Sequence, residues 1–219
     1  MDRIGEFLPF MLEGSVTTVQ VFIFTLVISL PLGLPIALGS NSRFKPLSFL
    51  CKIYVWIFRG TPLMLQLWFF YFFFPFNFGI TLDALSTAIL TYVLNYAAYF
   101  AEIYRGGINS IDRGQYEAAH ALGLSKGQTM KDIILPQTMK AIMPPVVNEA
   151  ITLVKDTALV SSIAVIDLMK ATNSAVNRMT SLTPFFYAAV IYLIMTFVLT
   201  IIAGRLEKHF SRYDAKEDW

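Results

Sequence analysis

The sequence has 219 residues, of which 56% are hydrophobic, 15% aromatic and only 15% charged, and its mean hydropathy is +0.59. This composition is typical of a polytopic membrane protein and excludes an ordinary soluble domain. The formal net charge of +2 is too small to indicate a nucleic-acid partner, and the single cysteine, Cys51, cannot form an internal disulfide.

The first apolar stretch follows a charged N-terminal segment. That segment has no basic region and no small-residue cleavage site before the apolar run, so we expect no cleaved signal peptide. No charged residue occurs between Glu13 and Arg43, and about 20 apolar residues suffice to cross the hydrocarbon core. We therefore predict the first transmembrane span over about residues 16–38.

Four further stretches have the length and apolar character of spans. Together with the first, the predicted spans are about 16–38, 53–74, 84–102, 141–166 and 182–204. Because no internal repeat or linker is visible, we predict a single all-α transmembrane domain over residues 1–219, with a cytoplasmic loop over residues 103–140.

Lysine and arginine decide the orientation of these spans, since an odd number of spans places the two termini on opposite sides. The loop after the first span, the 103–140 loop and the C-terminal tail contain 13 of the 17 basic residues, if Lys52 and Arg59 are counted with the first loop. We therefore predict that the N-terminus lies outside and the C-terminus in the cytoplasm.

The loop between the third and fourth predicted spans contains a polar segment, residues 115–136, with signals for two short helices. Asp112, followed three residues later by Gln115, has the form of an N-cap with a return partner. The first helix is expected to end at about Leu122, and Gly123 suits the C′ position, where the chain turns with positive φ.

A second short helix is expected directly after this turn. Ser125 and Gln128 repeat the capping pattern, and the helix is expected to stop before Pro136, because the residue that precedes a proline is disfavoured in the α region. On the first helix, the small side chains of Ala118 and Ala119 leave a narrow surface that another protein's groove can approach closely.

These residues resemble the EAA loop of ABC importer permeases. The matching residues, at the spacing of that loop, are Glu117, Ala118, Ala119, Gly123, Ile134, Leu135 and Pro136. Three flanking segments, 59–62 (RGTP), 102–107 (EIYRGG) and 155–157 (KDT), resemble the polar amino-acid uptake branch of those permeases. The resemblance covers nearly the whole chain.

The resemblance implies a type I importer permease of the MetI-like fold in a prokaryotic cell membrane. The chain would be the pore-forming subunit of an ATP-driven importer for polar or basic amino acids of the arginine, histidine and glutamine class. The implied partners are an ABC ATPase subunit that carries ATP and Mg, a second permease subunit, an extracytoplasmic solute-binding protein and the amino-acid substrate.

The same resemblance assigns roles within the loop, whose first short helix would be the coupling helix that sits in a cleft of the ATPase. Glu117 would form an ion pair or hydrogen bond with the ATPase. Ala118 and Ala119 would give the close fit, and Gly123 the turn.

The sequence disfavours two other classes of function. It has no GxxxxGK Walker A pattern, so ATP hydrolysis is expected on a separate subunit, and no cofactor or metal is expected in this chain. An intramembrane enzyme is disfavoured because the only histidines, His120 and His209, fall outside the predicted spans and no GxGD or HExxH pattern occurs within one. An ion-coupled secondary transporter would need its own coupling site, and five spans without a repeat fit it poorly.

Polar residues line one face of the third predicted span. Tyr92, Asn95, Tyr96 and Tyr99 have offsets of 0, 3, 4 and 7, which place them on a single helical face. Polar groups that face lipid would be unsatisfied, so this face is expected to contact another helix or a water-filled cavity. It is either a polar packing seam or part of a substrate path, for which Asn95 and Tyr99 are the candidates.

The fourth predicted span carries polar and ionisable residues near its middle: Asn148, Glu149, Thr152, Lys155 and Asp156. Such groups are costly in a membrane unless they are paired or hydrated, so all five are substrate-path candidates. Glu149 and Asp156 lie about 10 Å apart on one face and could hold a cationic group between them. The alternative is a buried ion-pair network, and Lys155, a quarter turn away, is expected to meet another helix or subunit. The chain after Asp156 is expected to form a broken or partly re-entrant helix.

Overall fold

The computed structural model describes residues 4–210, which contain helices and no β-strand, so the all-α prediction is confirmed over that range. The predicted positions of the two chain ends, residues 1–3 and 211–219, lie outside the described residues. The first helix, α1, spans Ile4–Ser40 and continues unbroken through three prolines. It contains the predicted first span, 16–38.

The second predicted span is not a single helix. Helix α2 covers Lys45–Gly60, and a second helical run covers Leu63–Phe78 at an angle of 105° to it. That run consists of α3 (Leu63–Trp68), a π-helical turn (Phe69–Phe73) and α4 (Phe74–Phe78). The predicted second span, 53–74, is therefore interrupted at residues 61–62, and whether the bent pair crosses the membrane as one span stays a prediction. The break has a local cause, because Pro62 disfavours the α region at Thr61, which adopts φ −115° and ψ 144° and ends α2.

Helix α5, Ala84–Ser110, is the central helix of the described residues. Asp83 caps it by accepting a hydrogen bond from the Ser86 amide at 3.0 Å, and hydrogen bonding with Ser86 lowers the pKa of Asp83. In its most apolar stretch 61% of residues are buried, against 28% for α1 and 6% for the last helix, so α5 lies inside the bundle. Gly33 of α1 permits close packing here, because a Cβ at that position would lie 2.8 Å from Cβ of Phe100.

The polar loop folds into short helices that lead directly into a long one. Their bounds are α6 (Arg113–Ala121), α7 (Lys126–Gln128), a π-helical turn (Thr129–Ile134) and α8 (Leu135–Asp156). The chain stays helical through Pro136, so the predicted helix end before that proline is wrong. The carbonyl that the Pro136 ring would crowd in an α-helix is that of Asp132, which lies in the wider π turn instead.

The fourth predicted span, 141–166, is not one continuous helix either. After α8 the chain forms a 3-10 turn over Thr157–Ile163, and Ala164 adopts a left-handed φ of 66°. Helix α9 (Leu168–Met179) then follows. Its N-cap is Asp167, a buried residue whose side chain accepts hydrogen bonds from two backbone amides. The predicted interruption after Asp156 is therefore confirmed, and α8 ends ten residues before the predicted end of the span.

The last helix, α10, spans Thr183–Phe210 and contains the fifth predicted span, 182–204, except for its first residue. Among the described residues, three helices are long and apolar enough to cross a membrane: α1, α5 and α10. The bent pair of α2 and Leu63–Phe78 counts as a fourth if it is one broken span. Helix α8 is not among them, and it carries the charged residues Lys140, Glu149, Lys155 and Asp156.

Candidate functional site

Two residues of the polar face predicted on the third span, Tyr92 and Tyr96, contact the end of α8. Tyr92 and Tyr96 are buried with nearly parallel rings, whose centroids are 6.4 Å apart. The Tyr92 hydroxyl donates a hydrogen bond to the Asp156 backbone carbonyl at 2.5 Å, and the Tyr96 hydroxyl donates to Asp156 Oδ2 at 2.7 Å. Two tyrosines of α5 thus hold both the backbone and the carboxylate of Asp156.

Asn95, a predicted substrate-path residue, is occupied by contacts within the chain. It is only 4% exposed, and its side-chain amide donates to the Phe58 carbonyl and to Gln66 Oε1, each at 3.0 Å. Gln66 in turn donates to the Phe58 carbonyl at 2.9 Å and to Thr61 Oγ1 at 2.8 Å. This network fastens the bend between α2 and α3 to α5, so Asn95 matches the packing-seam alternative rather than a free path residue.

Tyr99, the other candidate on this face, is half-buried and lies beneath a cation. The guanidinium carbon of Arg59 is 5.3 Å from the centroid of the Tyr99 ring. Arg59 Nη1 is also 3.9 Å from Glu102 Oε1, and Glu102 accepts two hydrogen bonds from Arg105. Tyr99 therefore belongs to a charged cluster at the end of α2.

The α8 candidates differ in their surroundings. Asn148 and Lys155 are exposed, whereas Glu149, Thr152 and Asp156 are half-buried. Glu149 has no hydrogen bond or ion pair among the described residues, although the charge of Arg59 acts on it. A carboxylate without a hydrogen bond or ion pair, on the same helix face as the fixed Asp156, leaves an acidic surface that a cation could neutralise.

Thr152 and Lys155, two further candidates on α8, have no side-chain hydrogen bond or ion pair with another helix among the described residues. The Thr152 hydroxyl donates to the Asn148 carbonyl at 3.0 Å, a bond within α8. Lys155 forms no ion pair within the described residues, so the expected contact with another helix or subunit stays a prediction. Over the same part of the chain, no group of three or more His, Cys, Asp or Glu side chains could hold a metal ion.

The coupling-loop candidates lie on and beside α6. Glu117 and Ala118 are exposed, so both are accessible to another protein. Ala119 is only 3% exposed and packs inside the chain, which corrects its predicted place on the binding surface. A helix presents successive residues about 100° apart, so two adjacent alanines cannot both face the same groove centrally.

The predicted turn at Gly123 is confirmed in detail. Gly123 has φ 76°, its amide donates to the His120 carbonyl, and the Leu124 amide donates to the Ala119 carbonyl. These two bonds define a Schellman motif with Gly123 at C′. Leu122, just before the turn, is 81% exposed.

Of the two predicted capping pairs, one is present. Ser125 and Gln128 form a complete capping box. Asp112 caps α6 through the Gly114 amide, but Gln115 does not return to it and is instead hydrogen-bonded to Gln137 at 3.1 Å. That bond ties the start of α6 to α8.

Sequence reasoning missed two residues that organise the site, Gln66 and Arg59, and the buried cap of α9, Asp167. Gln66 was detectable, because it is the one amide side chain between Gly60 and Asn77 in an otherwise apolar run. Arg59 carried a signal as a lone charge in a predicted span, but nothing in the sequence indicated Tyr99 as its partner. Asp167 was detectable as a helix cap, although its burial was not.

The chain matches a known family over most of its length. Residues 29–212 match the family described as "Binding-protein-dependent transport system inner membrane component". The chain therefore belongs to this family of ABC transporter permeases, which are multi-pass subunits of cell membranes, and the resemblance seen in the sequence is confirmed. Permeases of this family are non-enzymatic transport subunits, and their ATPase is a separate subunit, so an ATPase and a substrate-binding protein are implied as partners.

Individual relatives are similar to nearly the whole chain. The arginine transport system permease protein ArtQ of Bacillus subtilis is 40% identical over 208 residues, which cover 94% of this chain and 95% of that protein. A putative glutamine transport system permease protein, GlnP of Rickettsia felis, is 36% identical over 200 residues, which cover 91% of this chain and 92% of that protein.

Solved structures agree with the fold. A crystal structure of an amino acid ABC transporter with histidines matches with a TM-score of 0.88 and 31% identity, covering 94% of this chain and 96% of that one. An inward-facing structure of the MetNI methionine ABC transporter matches with a TM-score of 0.74 over 96% of this chain and 99% of that chain. At 19% identity this second likeness concerns the fold alone, which is MetI-like.

Proposed function

We propose that this chain is the pore-forming subunit of an ATP-driven importer for polar or basic amino acids, in the class of arginine, histidine and glutamine. The observation that carries this proposal is the acidic face of α8, where Asp156 is fixed by two tyrosines and Glu149 has no hydrogen bond or ion pair among the described residues. The printed functions of the similar ArtQ and GlnP proteins support the same substrate class.

In this proposal the chain is a single permease domain of five spans in the cytoplasmic membrane of a prokaryote. The bent pair of α2 and Leu63–Phe78 is the second span, and α8 with the following 3-10 turn is the fourth. The distribution of basic residues supports an external N-terminus and a cytoplasmic C-terminus. The loop with α6 and α7 then faces the ATPase.

Coupling to ATP hydrolysis passes through α6. Glu117 and Ala118 are exposed on this helix, and Gly123 sets the direction in which the chain leaves it. Since the bond between Gln115 and Gln137 ties α6 to α8, a displacement of α6 by the ATPase reaches the helix that carries Glu149 and Asp156. Five spans are too few to enclose a path alone, so two permease subunits surround it about a two-fold axis.

Recognition follows from the charges on α8. A carboxylate with no partner in a poorly solvated site attracts an ammonium or guanidinium group, which neutralises it and donates hydrogen bonds to it. Asp156 already accepts one hydrogen bond from Tyr96, so its orientation is set before substrate arrives. The α-ammonium group and a basic side chain are both suitable ligands for this pair.

The test is uptake by the reconstituted transporter, in which this chain is combined with its partner ATPase and with the binding protein. Labelled arginine, histidine, glutamine and leucine are compared in proteoliposomes with ATP or ADP enclosed. We expect ATP-dependent uptake of one or more of the first three and none of leucine. Uptake that persists with ADP, or that follows an ion gradient, would contradict an ATP-driven importer.

A further inference from the structure

A basic cleft outside the α8 site lies between the end of α1, one face of α2 and the later turns of α5. Its volume is about 520 Å³, and Lys52, Trp56, Arg59, Glu102 and Arg105 are among its lining residues. Neither Glu149 nor Asp156 lines it. The proposed transport mechanism gives this cleft no role.

The cleft has an excess of positive charge. Its only carboxylate, Glu102, accepts two hydrogen bonds from Arg105 and is therefore neutralised locally. Arg59 also forms an ion pair with Glu102, at 3.9 Å, and Lys52 is exposed and has no ion pair among the described residues. Three cations and one carboxylate give the lining a net charge of +2, which suits an anion with several acceptor oxygens, such as a phosphate.

Large apolar side chains border these cations on α2. Trp56 is 75% exposed and Phe49 is 63% exposed. They lie four residues after and three residues before Lys52, so all three share one face of the helix. A small free anion would not be stabilised by contact with exposed aromatic rings. A phospholipid, in contrast, presents a phosphate and acyl chains side by side, so it can contact both the cations and the rings.

We propose that this cleft binds the head group of an anionic phospholipid from the cytoplasmic leaflet, with Lys52 and Arg59 at the phosphate and Trp56 and Phe49 along the acyl chains. Basic pockets between transmembrane helices at the cytoplasmic side are suited to such head groups. The inference rests on the orientation given under the proposed function, which places the end of α1 at the cytoplasmic face.

The experiment measures lipid retention by the full-length chain, purified in detergent together with its ATPase. Native mass spectrometry counts bound phosphatidylglycerol across a titration, with phosphatidylcholine and inorganic phosphate as comparison ligands. We expect saturable binding of phosphatidylglycerol, little binding of phosphatidylcholine, and no competition from millimolar phosphate. Equal retention of both lipids, or displacement of phosphatidylglycerol by phosphate, would overturn the proposal.

Matched variants test the site itself. One basic residue near a membrane surface is worth about 1 kcal/mol toward anionic lipid, so Lys52→Gln should weaken binding about fivefold and Lys52→Arg should restore it. Lys45→Gln removes the same charge two turns earlier on α2, outside the cleft, and should leave binding unchanged. Equal losses at positions 45 and 52 would show a diffuse surface effect and contradict a built site. Neither ATP nor amino acid enters this assay, so a failure to bind lipid would leave the import proposal intact. Conversely, a failed uptake assay would leave the lipid-binding result unchanged.

Discussion

Tyr96 of α5 donates a 2.7 Å hydrogen bond to the carboxylate of Asp156 at the end of α8. Tyr92, one turn earlier on the same helix, donates instead to the backbone carbonyl of Asp156. The two tyrosines hold one residue through different atoms. Tyr96 therefore orients the carboxylate, whereas Tyr92 attaches the end of α8 to α5.

The first prediction uses this pair. Tyr96→Phe removes the donor to the carboxylate, and a hydrogen bond to a charged group is worth about 1.5–3 kcal/mol, so we expect the KM for uptake to rise about tenfold or more. Tyr92→Phe is the matched control, since it leaves the carboxylate bonded and should change KM less. Measured uptake kinetics with equal KM values for both variants would show that Tyr96 does not orient a binding group.

The second prediction concerns the contact with the ATPase. Glu117→Lys reverses an exposed charge on α6 and should reduce recovery of the ATPase in co-purification at moderate salt, because a surface fitted to a carboxylate repels a cation. Asp132→Lys makes the same charge change at an exposed position outside α6 and should have little effect. Undiminished recovery with Glu117→Lys would mean that this side chain is only solvated.

The third prediction concerns the turn after α6. Gly123 has φ 76°, where an added Cβ costs about 1–2 kcal/mol, so Gly123→Ala should lower the amount of substrate imported per ATP hydrolysed. Gly127 lies in α7, and a Cβ there would have open space, so Gly127→Ala should leave this ratio unchanged. Parallel assays of uptake and ATP hydrolysis in proteoliposomes provide the ratio. Unaltered coupling in Gly123→Ala would contradict a role for this turn.

The fourth prediction concerns orientation. In a Cys51→Ala background, Leu182→Cys should react with a membrane-impermeant maleimide in intact cells, because the start of α10 is expected outside. Lys126→Cys, in the cytoplasmic loop, should react only after the cells are permeabilised. The opposite labelling pattern would invert the proposed topology.

The sequence predicted which side chains of this site share a helical face, but not which residues of other helices they contact. The offsets of Tyr92, Tyr96 and Tyr99 predicted one face correctly, because helical periodicity is local. That Tyr96 meets Asp156, 60 residues later, depends on how α5 packs against α8, which no local pattern specifies. The sequence leaves Asn95 open between a packing seam and a substrate path for the same reason, since its partner Gln66 lies on another helix.

Helix ends were predictable where a specific residue sets them. Gly123, Ser125 and Gln128 were predicted correctly because capping and the left-handed turn are local chemistry. The break at Pro62 was missed, since the uncharged stretch that follows Arg59 is also the pattern of a continuous span. At Pro136 the opposite error arose, because a π turn can carry a helix through a proline.

The most direct test of the proposed acidic site is Glu149→Gln, which keeps the shape of the side chain and removes its charge. Loss of one partner from a desolvated ion pair costs about 2–5 kcal/mol, so uptake affinity should fall roughly 30-fold or more. The control is Glu13→Gln, the same change at an exposed position on α1. Uptake of labelled arginine and glutamine is measured with both variants, alongside assembly and basal ATP hydrolysis, which should be intact. A loss for both substrates indicates the α-ammonium group as the ligand, and a loss for arginine alone indicates the side chain. Unchanged uptake of both amino acids in assembled Glu149→Gln transporter would contradict the claim that this face of α8 binds the substrate.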